Sequence, residues 1–193
     1  MKRASSFLFA AIDFFQIVMY NIGGRVENRG RKNMILYHGS NLIVDKPRIL
    51  TPNRYLDFGT GFYTTSNLSQ AKSFADKVTA RKGEGISTVS KYEFDESASG
   101  KLKVLAFEAA GEAWLDFVSD NRSGNPQGEE YDLIYGPVAD DDIFRTFLLY
   151  SAGLLSKEQT LEALRIKKLF NQYVFKNEKA LQSLKFIGTE EVI

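Results

Sequence analysis

The sequence has 193 residues, of which 44% are hydrophobic and 25% charged, enough apolar material for one ordinary folded domain and too much for a disordered chain. Lys and Arg number 25 against 24 Asp and Glu, so the net charge is +1 and no broad basic footprint for nucleic acid exists. There are no cysteines and one histidine, which excludes disulfides, thiolate metal sites, His-cluster metal sites and Cys–His nucleophilic pairs.

Behind Met1-Lys2-Arg3, the segment ASSFLFAAIDFFQIVMY from Ala4 to Tyr20 is rich in apolar residues but interrupted by Asp13 and Gln16. It is short for a membrane span and no A-x-A-like cleavage site follows it, so no span is expected. On a helix, Phe7, Leu8, Ala11, Phe14, Phe15 and Val18 form a broad apolar face. A helix docked on a core or partner through residues 5–20, a start assigned too far upstream, and a signal or membrane segment are the three readings. Gly23–Asn33 (GGRVENRGRKN) reads as a polar, basic linker, placing a boundary between 1–33 and a domain at 34–193.

Met34–Tyr37 is a short apolar run predicted to be a strand, closed by a turn at His38-Gly39-Ser40. Ile43–Asp57, with Pro47 and Pro52, is predicted to be loop. Asp57–Ser66 (DFGTGFYTTS) opens an aromatic strand, after which Ser66 is the predicted cap of a helix. Its apolar positions are Leu68, Ala71, Phe74, Ala75 and Val78, and Gly83–Gly85 ends it. Thr88–Phe94 and Lys101–Phe107 read as strands around a polar turn at Asp95–Gly100.

Glu112–Val118 is predicted to be helical, Ser119–Glu130 a polar loop, and Tyr131–Tyr135 a strand cut off by Gly136-Pro137. Helices follow at Asp142–Tyr150 and Lys157–Leu169, the second capped by Ser156. Then come a strand at Asn171–Lys176, a short helix at Glu178–Ser183 and a last strand at Leu184–Ile187. Short strands with helices between them, lacking strict alternation, indicate an α+β fold.

Three strand-associated motifs put polar groups where packing does not ask for them. His38 ends a strand beside Gly39, where backbone can approach a ligand closely. Tyr63 follows Gly59 and Gly61 and precedes a helix bearing Phe74, so two rings are available to opposite faces of a flat ligand. Gln172 shares a strand face with Val174, while Tyr173 and Phe175 share the other. A buried glutamine needs partners, and a ligand hydroxyl would serve as one. Packing alone also accounts for both rings, and a lone histidine is more often structural than functional.

Taken in order, Leu36-Tyr37-His38-Gly39-Ser40, Gly61-Phe62-Tyr63 with Ser69 and Ala71 beyond it, and Asn171-Gln172-Tyr173-Val174 resemble the His-Tyr-Glu branch of the ADP-ribosyltransferase superfamily. That branch includes poly(ADP-ribose) polymerases and diphtheria-toxin-like enzymes. Met34–Ile193 is also similar to a bacterial family placed in that superfamily, DUF3990, with matches at Tyr131–Asp141 (YDLIYGPVADD) and Glu178-Lys179-Ala180-Leu181. The resemblance implies a split β-sheet with surrounding helices, binding NAD as a substrate without a metal. It implies that His38 meets the adenosine-side ribose and Gly39 the nicotinamide amide, with Ser40 a further contact. Tyr63 and Phe74 would sandwich the nicotinamide ring. A serine that often binds the amide aligns to Ala71, leaving nearby Ser69 to substitute.

The departure is Gln172 where the branch carries its catalytic Glu. A carboxylate there stabilises positive charge developing on the ribose; an amide keeps the hydrogen bond without the full charge. Either Gln172→Glu restores that charge, or a second carboxylate already supplies it and two acids would crowd. Asp132, Asp140, Asp141, Asp142 and Glu178 are the acids considered for that role. The motif order predicts that His38, Tyr63 and Gln172 converge on one cleft, and if Gln172 points into it, its removal abolishes turnover and leaves stability nearly unchanged.

The expected function is thus a cytoplasmic bacterial mono-ADP-ribosyltransferase, a toxin or defence effector acting on protein or nucleic acid, with an antitoxin as one candidate partner. The alternatives are a catalytically weak or inactive NAD- or nucleotide-binding module, and an interaction protein docking through its N-terminal helix.

Overall fold

A computed structural model describes residues 33–52, 54–95, 100–138, 141–165 and 170–192, with the side chains of 141–144 and 165 excepted. The expectations for residues 1–32, the N-terminal helix and its docking among them, lie outside the described residues, as do Asp140 and the end of the helix predicted to reach Leu169.

The chain order is β1 (Asn33–Ser40), β2 (Phe62–Thr65), α1 (Leu68–Lys82), β3 (Thr88–Asp95), β4 (Val104–Ala106), α2 (Glu112–Arg122), β5 (Leu133–Pro137), α3 (Asp141–Ser151), α4 (Lys157–Arg165), β6 (Asn171–Phe175), α5 (Glu178–Leu181) and β7 (Leu184–Glu191). The strands form one seven-stranded sheet ordered β4-β5-β6-β2-β1-β3-β7, antiparallel except for β4 beside β5. The fold is α+β, as its mixture of short strands and helices predicts.

Alternation along the inner strands builds a core on each side of the sheet. Val174 of β6 and Ile134 of β5 join Phe58, Trp114, Leu115 and Val118, placing α2 on one face. Their neighbours Phe175 and Leu133 join Leu36, Phe62, Tyr92 and Phe94 on the other. Burying an aromatic or large aliphatic side chain is worth about 1.5–3 kcal/mol, so these two clusters carry the fold.

Several predicted boundaries move, each for a packing reason. His38-Gly39-Ser40 is strand rather than turn, because β3 pairs with β1 from Asn33↔Asp95 through Ser40↔Thr88. Helix α1 is capped by Asn67 rather than Ser66: Asn67 Oδ1 accepts from Gln70 N at 2.9 Å. At its other end Gly83 adopts φ 69° and its N–H returns to Thr79 O at 2.8 Å, the left-handed stop that glycine favours. Phe74 is 42% exposed, although the period groups it with buried Ala71, Ala75 and Val78.

Strands β3 and β4 are not neighbours around a turn. β3 lies between β1 and β7, whereas β4 sits at the far edge beside β5, and Lys101–Lys103 precede the strand. β5 runs on to Pro137, since Gly136 pairs with Gln172 and Pro137 with Asn171. α5 ends at Leu181, two residues earlier than expected, and β7 extends to Glu191 along β3.

Candidate functional site

The three motifs singled out in the sequence fall on adjacent strands: His38 on β1, Tyr63 on β2 and Gln172 on β6. β2 and β6 pair from Phe62↔Phe175 to Thr65↔Gln172, which puts Tyr63 and Gln172 on the same face. β1 and β2 are joined by a single registered pair, Tyr37↔Thr65. His38, one residue further along β1, turns to the opposite face and stacks on Phe62 with ring centroids 4.5 Å apart. The three side chains therefore do not share one face: Tyr63 and Gln172 lie on one side of the sheet and His38 on the other, with His38 and Tyr63 meeting at the seam between β1 and β2.

At that seam His38 Nδ1 lies 2.7 Å from the carbonyl oxygen of Tyr63. A carbonyl only accepts, so Nδ1 carries the proton and Nε2 of the neutral ring is left as an acceptor. Burial holds the His38 pKa below its ordinary 6.5, with the Tyr63 carbonyl pulling the other way. The unfolded chain then binds more protons than the folded one, so His38 contributes stability above pH 6.5 that is lost as the pH falls. Urea titrations from pH 5 to 8 are expected to show the wild-type midpoint dropping below pH 6.5 relative to His38→Gln. Parallel profiles would remove this titration.

Gly39 is buried beneath α1. A Cβ built on it would strike the carbonyl oxygen of Ala71 and stand 2.8 Å from Ala75 N, so α1 rests its backbone on β1 at this residue. Ala71, where the resemblance sets a serine, is buried at that contact. Ser40 is half-buried at the end of β1; Ser69 and Phe74 are exposed on α1.

Gln172 is 5% exposed. Its Nε2 donates to Asp57 Oδ2 at 3.2 Å and more weakly to the carbonyl of Pro137 at 3.4 Å. Both partners are acceptors, which fixes which end of the amide is nitrogen. Asp57 in turn accepts through Oδ1 from Arg122 Nε at 2.6 Å and Nη2 at 2.5 Å. Arg122 holding a carboxylate that is 8% exposed makes a largely buried, charge-assisted pair.

The segment from Asp57 to Gly59 is held from several sides. Phe58 N donates to Tyr63 Oη at 3.1 Å, and Tyr63 Oη donates to the Gly59 carbonyl at 2.7 Å. Lys176 Nζ donates to the Phe58 carbonyl at 2.7 Å and to Glu129 Oε1 at 3.0 Å. Burial lowers the Lys176 pKa while Glu129 pulls it back. Burial, aided by the charge of Asp57, drives the Tyr63 phenol far above its usual value. Tyr63 thus keeps its proton and serves as a donor, not as a general base.

Asp57, Arg122 and Lys176 were not singled out in the sequence. Of the acids that were, Asp132, held down to about 2 by Lys179, the Lys103 N–H and Asn177, lies by β4 and β5; Asp140 and the side chains of Asp141 and Asp142 lie outside what the structure describes. An open pocket of about 520 Å3 beside Gly59 and Thr60 is lined by Arg54, Tyr55, Asn121 and Glu129, and by none of His38, Tyr63 or Gln172. Among the described residues no helix is long and apolar enough to cross a membrane.

The model of the family described as "Protein of unknown function (DUF3990)" matches residues 34–186. No curated protein and no solved structure matches the chain.

Proposed function

The chain belongs to the DUF3990 family, and from that premise and the geometry of the β1–β2–β6 strands we propose that it is a mono-ADP-ribosyltransferase using NAD. The observation that supports this reading is a neutral histidine and a half-committed glutamine on the two strands either side of β2. His38 keeps Nε2 for a ribose hydroxyl, because Nδ1 is spent on the Tyr63 carbonyl. Gln172 keeps Oε1 for another, because its bonds to Asp57 and Pro137 both come from Nε2.

In the reaction, the bond between the nicotinamide nitrogen and ribose C1′ breaks and its electron pair leaves with nicotinamide. An acceptor oxygen or nitrogen then bonds to C1′ and gives up its proton; with water the outcome is hydrolysis. Positive charge on the ribose peaks between these events, and the Gln172 carbonyl dipole opposes it less strongly than a carboxylate. A slow transferase suits this site better than a fast polymerase. Gly39 backbone and Ser40 lie at the seam for the nicotinamide amide, Ser69 opens α1, and the rings of Tyr63 and Phe74 are assigned to the nicotinamide faces.

Purified protein incubated with NAD is expected to release nicotinamide, and labelled NAD is expected to mark a lysate component removed by either protease or nuclease. Phe74→Ala should weaken NAD binding roughly two- to twelve-fold, the equivalent of about 0.5–1.5 kcal/mol of ring stacking, while Phe74→Tyr should not. Equal affinity in wild type and the alanine variant removes Phe74 from the site.

One observation favours a second reading, a module that binds NAD or a related nucleotide without turning it over. The carboxylate bonded to Gln172 is already paired with Arg122, so its charge is largely answered before any ligand arrives. NAD binding with no nicotinamide release would establish that reading. The bacterial effector role, an antitoxin and a cytoplasmic setting belong with the first.

A further inference from the structure

We propose that Asp57 is a positioning residue that sets the orientation of the Gln172 amide, so that the oxygen and not the nitrogen is turned to the ligand. An amide is ambivalent: rotated by half a turn about its last torsion, it offers donors where it offered an acceptor. In this site Asp57 Oδ2 at 3.2 Å and the Pro137 carbonyl at 3.4 Å both demand a donor, and both lie at Nε2. Oε1 takes part in neither bond. It is not sealed in the core either, since among the described residues the one buried side-chain oxygen or nitrogen without a partner is Asn41 Oδ1. Arg122 completes the device: its guanidinium only donates, so it pins Asp57 Oδ1 and leaves Oδ2 to face Gln172.

An amide so fixed does part of the work of a carboxylate. It presents a lone pair to a ribose hydroxyl, with the Asp57 charge behind the N–H polarising the group in the sense that makes the oxygen more negative. This rests on the transferase reading for what the oxygen meets, although the orientation itself does not.

Asp57→Asn tests it sharply because Arg122 dictates the outcome. Arg122 holds the oxygen of the new amide, whose NH2 then faces the NH2 of Gln172. Gln172 reverses to offer Oε1 to that NH2, giving up its weaker bond to the Pro137 carbonyl, and its own nitrogen turns to the ligand. Gln172→Glu fails differently, by setting two carboxylates against each other where only one is answered by Arg122. Combining the two substitutions exchanges the amide and the carboxylate. The amide on the Arg122 side then donates to one oxygen of the carboxylate on β6, and the other oxygen faces the ligand.

The expected result is a loss of about tenfold or more in kcat for nicotinamide release in each single variant, with KM for NAD within about threefold for Asp57→Asn, because a hydroxyl can accept as well as donate. The double variant should recover to within about threefold of wild type. Urea unfolding of the same four proteins should show the same pattern, each single variant less stable and the double variant regaining roughly half or more of the loss. Losses that simply add, in unfolding or in kcat, overturn the assignment of Asp57. If the wild type neither binds NAD nor releases nicotinamide, the transferase reading falls, and the unfolding cycle still decides the orientation: non-additive upholds it, additive overturns it.

Discussion

Gly39→Ala is expected to destabilise the protein by about 3 kcal/mol or more, the upper range for forcing atoms into a filled interior. Conformation is not the reason, because Gly39 lies in a regular strand paired with Val89. The reason is that the added methyl meets backbone, the Ala71 carbonyl and the Ala75 N–H, rather than a side chain able to swing aside. Nor can α1 withdraw easily: Asn67 caps its start, Gly83 ends it, and Ala71 and Ala75 are buried along the contact. Against a total of about 5–15 kcal/mol for a typical domain, such a loss takes a large share. A urea midpoint equal to wild type would show that α1 does not rest on β1 here.

Gln172→Ala is expected to lower nicotinamide release by roughly 10²–10³, the 3–4 kcal/mol carried by one well-placed electrostatic contact. It should also lower stability by about 1–3 kcal/mol, because Asp57 Oδ2 loses its donor in a place water hardly reaches. From sequence, a glutamine in an open cleft would be dispensable for folding; its bridge to Asp57 changes that expectation. The comparison that matters is activity per folded molecule, measured at a temperature well below the variant's melting point. Intact activity with reduced stability would make Gln172 a satisfied core amide and relocate the site.

Periodicity served well where the neighbours that decide a segment are its own. Helix α1 and its stop at Gly83 follow from the spacing of Ala71, Ala75 and Val78 and from a glycine able to turn left-handed. Strands β2 and β6 follow from runs of aromatic and β-branched residues. The partner of β4 did not, because three residues carry no mark of which edge they join. His38-Gly39-Ser40 looked like a turn since glycine in a short apolar run usually is one; here glycine answers to a helix packed across it, a demand made from a segment more than thirty residues away. Asp57 and Arg122 were invisible for a related reason. They stand 65 residues apart, each in a segment where a charged residue is ordinary, and only folding makes one the counter-charge of the other. That a buried glutamine on β6 would need partners was legible. That Gln172 is bonded to Asp57 came from the tertiary structure.

The sparse ladder between β1 and β2 bears on how the protein comes apart. One registered pair crosses that boundary, whereas even the short β4–β5 boundary has three. What joins β4-β5-β6-β2 to β1-β3-β7 is therefore mainly the shared core, where Leu36, Tyr92 and Phe94 of one side meet Phe62, Leu133 and Phe175 of the other. A molecule lodged along that boundary would add hydrogen bonds across it that the polypeptide itself supplies thinly. Any ligand bound there would raise the free energy of separating the two sides by mass action, so the urea midpoint should rise with its concentration.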